Sequence, residues 1–500
     1  RDRRHVAGGL SMDKDIVIGI DSSTQSTKSI AWTRGGDALA EGRAPTPMAT
    51  PGPGRFEQDP EDWWTAAADT LRALSEQIDP ARVAGIAISN QRETVAFLDE
   101  EGVSTRPAIV WLDERCFEEI ERLRHQIDLD ELHRVTGKPP DLTPVVYRLS
   151  WLHNHARADL DGAVKIVDAH AFLAGRLTGR IAASWTSADP FGVMDIAAKD
   201  WWPPILKHLE LHPNQFADLV RPGGLIGTLT PAAAARTGML EGTPVFAAGG
   251  DGQCAGLGVN AARPGVIYLN LGTALITGAW SDQPRTGTDW RTMTSPTGTG
   301  YFLEGCQRAG AFLVNWVIDS FAGGRDDPGV FDRLEREASA LPIGSDGVAV
   351  CPYLTGCMDP HWDPTARASI DGLGPQHGVG HIYRATLEAL TLESARCIDA
   401  MRIAGLAPER VVAVGGGANS SLWTRMFADA TGLPLHLSNS LEASALGAGM
   451  SAAVGAGWFD DFDAAAVAMS GMGPALQPDP STQAAWQAAN ARQARVYRPS

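Results

Sequence analysis

The chain predicts an α/β fold of two duplicated domains that face each other across a cleft. Three observations carry this expectation. Short apolar runs alternate with stretches of helical periodicity along the chain. A hairpin pattern near the N-terminus recurs about 250 residues later. A length of 500 residues allows two to four domains at roughly 100–200 residues each.

Residues 14–32 read as the first hairpin: Ile16, Val17, Ile18 and Ile20 form an apolar strand, residues 21–27 a polar turn, and residues 29–32 the return. Asp59-Pro60-Glu61-Asp62 then supplies an N-cap, a first-turn proline and acids suited to a helix N-terminus. Trp64, Ala67, Leu71, Leu74 and Ile78 follow at helical spacing. Strands are expected at residues 83–89, 94–98 and 108–112. A buried strand at residues 243–248 runs into Gly249-Gly250-Asp251-Gly252-Gln253. The second hairpin has strands at residues 266–271 and 274–280 around Gly272-Thr273. A strand at residues 410–414 leads into Gly415-Gly416-Gly417-Ala418-Asn419-Ser420 and a helix at residues 422–430. Residues 443–459 are Ala, Gly and Ser-rich, too weakly apolar to span a bilayer, and read as a tightly packed buried helix. A joint near residues 260–265 divides the chain into domains at 13–260 and 261–500.

Composition narrows the function classes. Apolar residues make up 44% and charged residues 20%, a globular balance rather than a disordered one. The 42 basic and 59 acidic side chains leave a net charge of −17, which argues against nucleic-acid and anionic-membrane partners. A small anionic ligand held by backbone amides and a metal is still compatible. The six cysteines are scattered without metal-ligand spacing, as expected for a reducing cytoplasm. Residues 1–12 lack the apolar core of a signal peptide.

The first turn, with Asp21, Thr24, Gln25, Ser26 and Thr27, offers hydroxyls and backbone amides beside a carboxylate. Polyphosphates need such a nest, and the carboxylate can hold Mg²⁺ directly or through water. A solvated turn is the alternative. Gly272 and Thr273 offer a second turn of the same kind, so two facing turns can grip phosphates from opposite domains. Asp251, just after a buried strand, is suited to accept a hydroxyl proton in phosphoryl transfer, or else to cap a helix. Gly415-Gly416-Gly417 lets a flat ring approach the backbone, but GxGxxG and the P-loop string are both absent. Gln91, Arg92 and Glu93, and the segment from Trp111 through Asp113 to Arg115, each follow a strand with groups fit to bind sugar hydroxyls.

Together these motifs resemble the FGGY family of carbohydrate kinases, from about residue 15 to residue 457. The resemblance implies two ribonuclease H-like domains of the actin/hexokinase type, with ATP and a ketose or polyol meeting in the cleft. It implies Asp21 as a magnesium-linked aspartate and Asp251 as catalytic base and second metal neighbour. Thr24, Gln25, Ser26 and Thr27 would form the first phosphate turn, and Gly272 and Thr273 the second. Gly310 and Asn315 fall near a further nucleotide contact, and Gly416, Gly417 and Ser420 in the adenosine-binding loop. A homodimer is compatible with the family.

The acceptor motifs are mixed. Asn90-Gln91-Arg92-Glu93-Thr94 is similar to the string with which glycerol kinases hold glycerol, yet Thr143 and Gly252 stand where those enzymes carry Tyr and Gln. Trp111-Leu112-Asp113 and Phe56-Glu57-Gln58-Asp59-Pro60 look closer to xylulose kinases, which usually have Met-His in place of Arg92-Glu93. Cys357-Met358 replaces a charged pair found in many sugar kinases. The expected function is ATP-dependent phosphorylation of a small ketose or polyol, xylulose or a related sugar first, with a glycerol- or erythritol-type acceptor as the alternative. A nucleotide-gated sugar-binding regulator on the same fold is the competing class, and a dinucleotide oxidoreductase stands third for want of its fingerprint.

Overall fold

A computed structural model describes residues 14–499 of the chain. The segment 1–12, read above as no signal peptide, lies outside the described residues. Two six-stranded mixed sheets organise the molecule. The first contains β1 (Ile16–Ser22), β2 (Ser26–Trp32), β3 (Ala38–Pro45), β4 (Val83–Asn90), β5 (Leu225–Thr228) and β6 (Pro244–Gly250), in the order β5-β6-β4-β1-β2-β3. The second contains β7 (Val266–Leu271), β8 (Leu275–Ser281), β9 (Arg291–Thr294), β10 (Tyr301–Gln307), β11 (Arg410–Val414) and β12 (Leu435–Leu437), in the order β9-β10-β8-β7-β11-β12.

The duplication is visible in the pairing. In the first sheet the hairpin β1-β2 is antiparallel, β3 extends it antiparallel, and β4 then β6 add parallel on the other side. In the second, β7-β8, β10, β11 and β12 repeat that pattern. The central strands are buried along their length, as parallel strands covered on both faces must be.

The first helix, α1 (Pro60–Ser75), starts where the sequence signals place it, with the Asp59 side chain accepting from the Glu61 amide. It ends before Ile78. The strand expected at residues 108–112 shortens to Ala108–Ile109. Beyond it the chain turns, because the Asp113 carboxylate accepts the Phe56 and Arg115 amides and so competes with a longer ladder.

Each sheet has its own apolar core. A third core lies against the first sheet: α9 (Ala443–Gly455), late in the chain, packs there with Ala445, Leu446 and Ala448 in one cluster with Val17, Trp32 and Phe246. Its glycines allow backbone-to-backbone approach. A Cβ on Gly447 would collide with the Cys254 carbonyl, and one on Gly19 in β1 with the Ala445 carbonyl. The helix is buried, as its composition predicts, and among the described residues no helix is long and apolar enough to cross a membrane.

Candidate active site

Parallel register gathers the chemistry at one end of the first sheet. Asp21 pairs with Ser89 and Ser22 with Asn90, while Gly249 and Gly250 lie beside the same two residues on the other side. The C-terminal ends of β1, β4 and β6 therefore present Asp21, the segment Gln91-Arg92-Glu93, and Asp251 side by side, where open α/β sheets assemble ligand sites. Asp251 is the first residue of α4 (Asp251–Gly258), with Gly250 in the N-cap position. Its Oδ1 accepts the Gly252 amide at 2.8 Å and lies 3.1 Å from Arg92 Nε. Asp21 accepts from Ser23 at 3.0 Å and from Ser89 at 3.3 Å. Burial, and then the neighbouring charge of Asp251, raise the Asp21 carboxyl to about 7.

Two carboxylates that repel in this way fit a divalent cation. Among the described residues no group of three or more His, Cys, Asp or Glu side chains is set to hold a metal. A cation here would rest on two carboxylates, water and phosphate oxygens, the coordination that suits Mg²⁺.

The first turn is closed by the Ser23 amide on the Ser26 carbonyl at 3.0 Å. Gln25 is exposed, Thr24 and Ser26 are half-buried, and Thr27 is buried with its hydroxyl directed to Ser22. Thr24 Oγ1 accepts from Trp111 Nε1 at 2.9 Å, which joins the candidate phosphate turn to a candidate acceptor residue. Lys28 is paired with Glu442, immediately before α9, at 2.8 Å, and Arg43 reaches the same carboxylate at 2.7 Å.

The second turn is clamped by α5 (Ala311–Phe321). The Gly310 amide donates to the Thr273 carbonyl at 2.8 Å and the Ala311 amide to the Gly272 carbonyl at 2.9 Å. A side chain on Gly310 would press on the backbone of Gly272 and Leu275. Asn315 lies one turn further along α5, half-buried. Gly415, at φ 91°, and Gly417 pack on Leu271, so that loop touches the same strand end, while Gly416 faces open space. Ser420 caps α8 (Ser421–Thr431), accepting the Trp423 amide at 2.9 Å and donating to Glu335 at 2.6 Å. The nucleotide candidates Gly272, Thr273, Gly310, Gly416, Gly417 and Ser420 thus share one edge of the second sheet.

The acceptor candidates behave unequally. Arg92 is held by Glu304 at 2.9 and 3.0 Å, and Glu93 by Arg291 at 2.6 Å. Gln91 spends its amide on Gln58 at 2.9 Å and on Thr94 at 3.2 Å. Trp111 is half-buried. Asp113 is not brought into this group: both its oxygens are taken by Arg115 and the Phe56 amide, and it is fully buried.

Three charged neighbours of these candidates escape sequence reading. Arg291 and Glu304 stand directly opposite each other on β9 and β10 and pair at 2.7 Å. Arg148, on α2 (Val145–His155), is 0% exposed and donates to the carbonyls of Glu93, Thr143 and Trp111, at 3.2, 2.8 and 2.7 Å. The available signal was a charged residue inside an otherwise apolar run, as in Val-Val-Tyr-Arg-Leu and Phe-Leu-Glu-Gly.

Comparison with known proteins identifies the family and the fold. The FGGY family of carbohydrate kinases matches with its N-terminal domain over residues 16–258 and its C-terminal domain over residues 267–456. The xylulose kinase of Bacillus subtilis (strain 168) is 28% identical over 454 residues, 89% of either chain. The gluconokinase of the same organism is 26% identical over 462 residues, 90% of this chain and 89% of that one. The crystal structure of xylulose kinase from Rhodospirillum rubrum superposes with a TM-score of 0.90 at 27% identity, covering 96% of this chain and 98% of that one. The two repeated sheets are those of the actin/hexokinase-like ATPase fold, and the chain belongs to the FGGY family of carbohydrate kinases, which transfer phosphate from ATP to a sugar.

Proposed function

We propose that the acceptor is a small, uncharged ketose or polyol, xylulose or a related sugar, and that one of its hydroxyls takes the γ-phosphate of ATP. The observation that carries this is that, among the described residues, the arginines nearest Asp251 are already committed to carboxylates. Arg92 is shared by Asp251 and Glu304, Arg291 by Glu93 and Glu304, and Lys138 lies 3.2 Å from Asp189. An acceptor carboxylate would add a negative charge beside Asp251, Glu93 and Glu304, where Arg92 and Arg291 are already shared among those carboxylates and Arg148 is spent on the carbonyls of Glu93, Thr143 and Trp111, which disfavours aldonates.

In this reading residues 13–260 bind the acceptor and supply the base, and residues 261–500 bind the nucleotide. Asp251 orients the attacking hydroxyl and takes its proton, assistance typically worth ~10²–10⁴-fold. Thr24, Gln25, Ser26 and Thr27 on one side, and Gly272 and Thr273 on the other, hold phosphate oxygens. Gly310, Asn315, Gly416, Gly417 and Ser420 hold the nucleoside. Gln91, Arg92, Glu93 and Trp111 line the acceptor side, with Asp113 behind them. Mg²⁺ bound near Asp21 and Asp251 would supply charge neutralisation. Closure of the lobes excludes water and limits wasteful ATP hydrolysis. The six cysteines, all unpaired and buried, support a cytoplasmic setting.

Arg92 and Glu93 favour a second reading, a glycerol- or erythritol-type acceptor. A coupled ADP-release screen over xylulose, ribulose, glycerol, erythritol and gluconate tests both. Turnover with a neutral acceptor and none with gluconate is expected. Preference for gluconate overturns the neutral-acceptor reading, and no stimulation by any compound favours a nucleotide-gated regulator.

A further inference from the structure

We propose that Glu304, on the second lobe, is a positioning residue for acceptor specificity, acting through Arg92, and that Gly252 is the permissive partner of this arrangement. The inference rests on the kinase reading above and extends the acceptor site across the cleft.

Glu304 is fully buried, and its Oε1 accepts from Arg92 at 3.0 Å and from Arg291 at 3.0 and 2.7 Å, while Oε2 accepts from Arg92 at 2.9 Å. Against the cost of burial, the two guanidiniums hold its carboxyl near 2, so it stays charged. Arg92 is thereby drawn in two directions, its Nε to Asp251 at 3.1 Å and its Nη1 to Glu304. Arg291 in turn fixes Glu93 through Oε1. Among the described residues, Arg92 Nη2 and Glu93 Oε2 have no hydrogen-bond partner, so the two N–H groups of that nitrogen and one carboxylate oxygen are left for substrate hydroxyls. Where those two atoms stand relative to Asp251 is set by Glu304.

Gly252 makes the geometry sterically possible. A Cβ there would stand 2.8 Å from Arg92 Nη2 and 2.9 Å from Glu304 Oε2. A larger residue would displace Arg92 from Glu304, so the missing side chain and the cross-cleft ion pair belong to one arrangement.

Two variants test this. Glu304→Gln removes the charge and keeps the shape. Gly252→Ala displaces Arg92 without removing any charge and sits in a helical turn that alanine favours, which keeps the test open if the first variant folds poorly. Both are expected to raise the acceptor KM about tenfold or more, the scale of one charge-assisted hydrogen bond, with the KM for ATP unchanged within about twofold. The ratio of kcat/KM between two acceptors, such as xylulose and ribulose, should also change, which a general loss of stability would not do. Glu304→Asp should recover part of the acceptor KM. Unchanged acceptor KM and unchanged ratio in both variants overturn the inference while leaving the kinase reading intact. Absence of wild-type turnover on any acceptor overturns both together.

Discussion

Arg92 Nε lies 3.1 Å from Asp251 Oδ1, while Nη1 of the same guanidinium reaches the second lobe at Glu304. One side chain thus touches the proposed base and a strand of the second sheet. In the proposed mechanism an entering hydroxyl shares Asp251 with this guanidinium.

Asp251→Asn should bind ATP within a few-fold of wild type and lose ~10²–10⁴ in kcat, the usual worth of a positioned general base. ADP release gives the rate and calorimetric titration gives the affinity. Turnover close to wild type would show that Asp251 is not the base.

Arg148→Met should destabilise the protein and weaken acceptor binding together. Removing the guanidinium leaves the carbonyls of Glu93, Thr143 and Trp111 without this donor, at about 1–3 kcal/mol for each that stays unsatisfied. Arg148→Lys keeps the charge with fewer donors and should fall between. Urea denaturation and acceptor KM measure the two effects, and a variant with unchanged acceptor KM would limit Arg148 to folding.

Gly447→Ala should cost about 1–3 kcal/mol or more, because the new methyl meets the Cys254 backbone, which has no flexible end to yield. Since Cys254 lies on α4, one turn from Asp251, kcat should fall as well. Unfolding and turnover of the variant at neutral wild-type stability would contradict the close packing.

Stability should respond to pH through Asp168 and His170 at the start of α3 (Ala169–Thr178). Burial raises the Asp168 carboxyl from 3.8 to about 6. The folded state therefore holds this proton more tightly, and its contribution to stability is full below about pH 4 and lost as pH rises through about 6. Burial lowers His170 from 6.5 to about 4, so its contribution is full above 6.5 and lost as pH falls towards 4. The two slopes oppose each other between them. Asp168→Asn removes one, and its stability relative to wild type should rise by about 3 kcal/mol from pH 4 to pH 8. A difference independent of pH would refute the assignment.

Chelation of divalent cations should reduce ADP release to background and Mg²⁺ should restore it, while Asp21→Asn should raise the Mg²⁺ concentration needed for half-maximal rate. Full activity in excess chelator would exclude the proposed role of the Asp21–Asp251 pair.

Both hairpins, the α1 start at Asp59 and the position of Asp251 after a buried strand were legible in the sequence, since each is written in adjacent residues: alternation, turn chemistry, a cap. The strand at residues 108–112 was overdrawn because the Asp113 side chain, which periodicity ignores, ends the ladder. The same clasp removes Asp113 from the acceptor group, although its place in the motif suggested a sugar ligand.

By itself the sequence determined two similar α/β units, each with a hairpin turn of small or hydroxyl residues, and a carboxylate directly after a buried strand. Only the tertiary structure decided what those groups face. Arg92 and Glu304 are 212 residues apart and Lys28 and Glu442 are 414 apart, and nothing local to any of them specifies its partner. Burying a charge is tolerable only when its counter-charge arrives from elsewhere in the chain, and that arrival depends on how the two sheets and α9 close on one another.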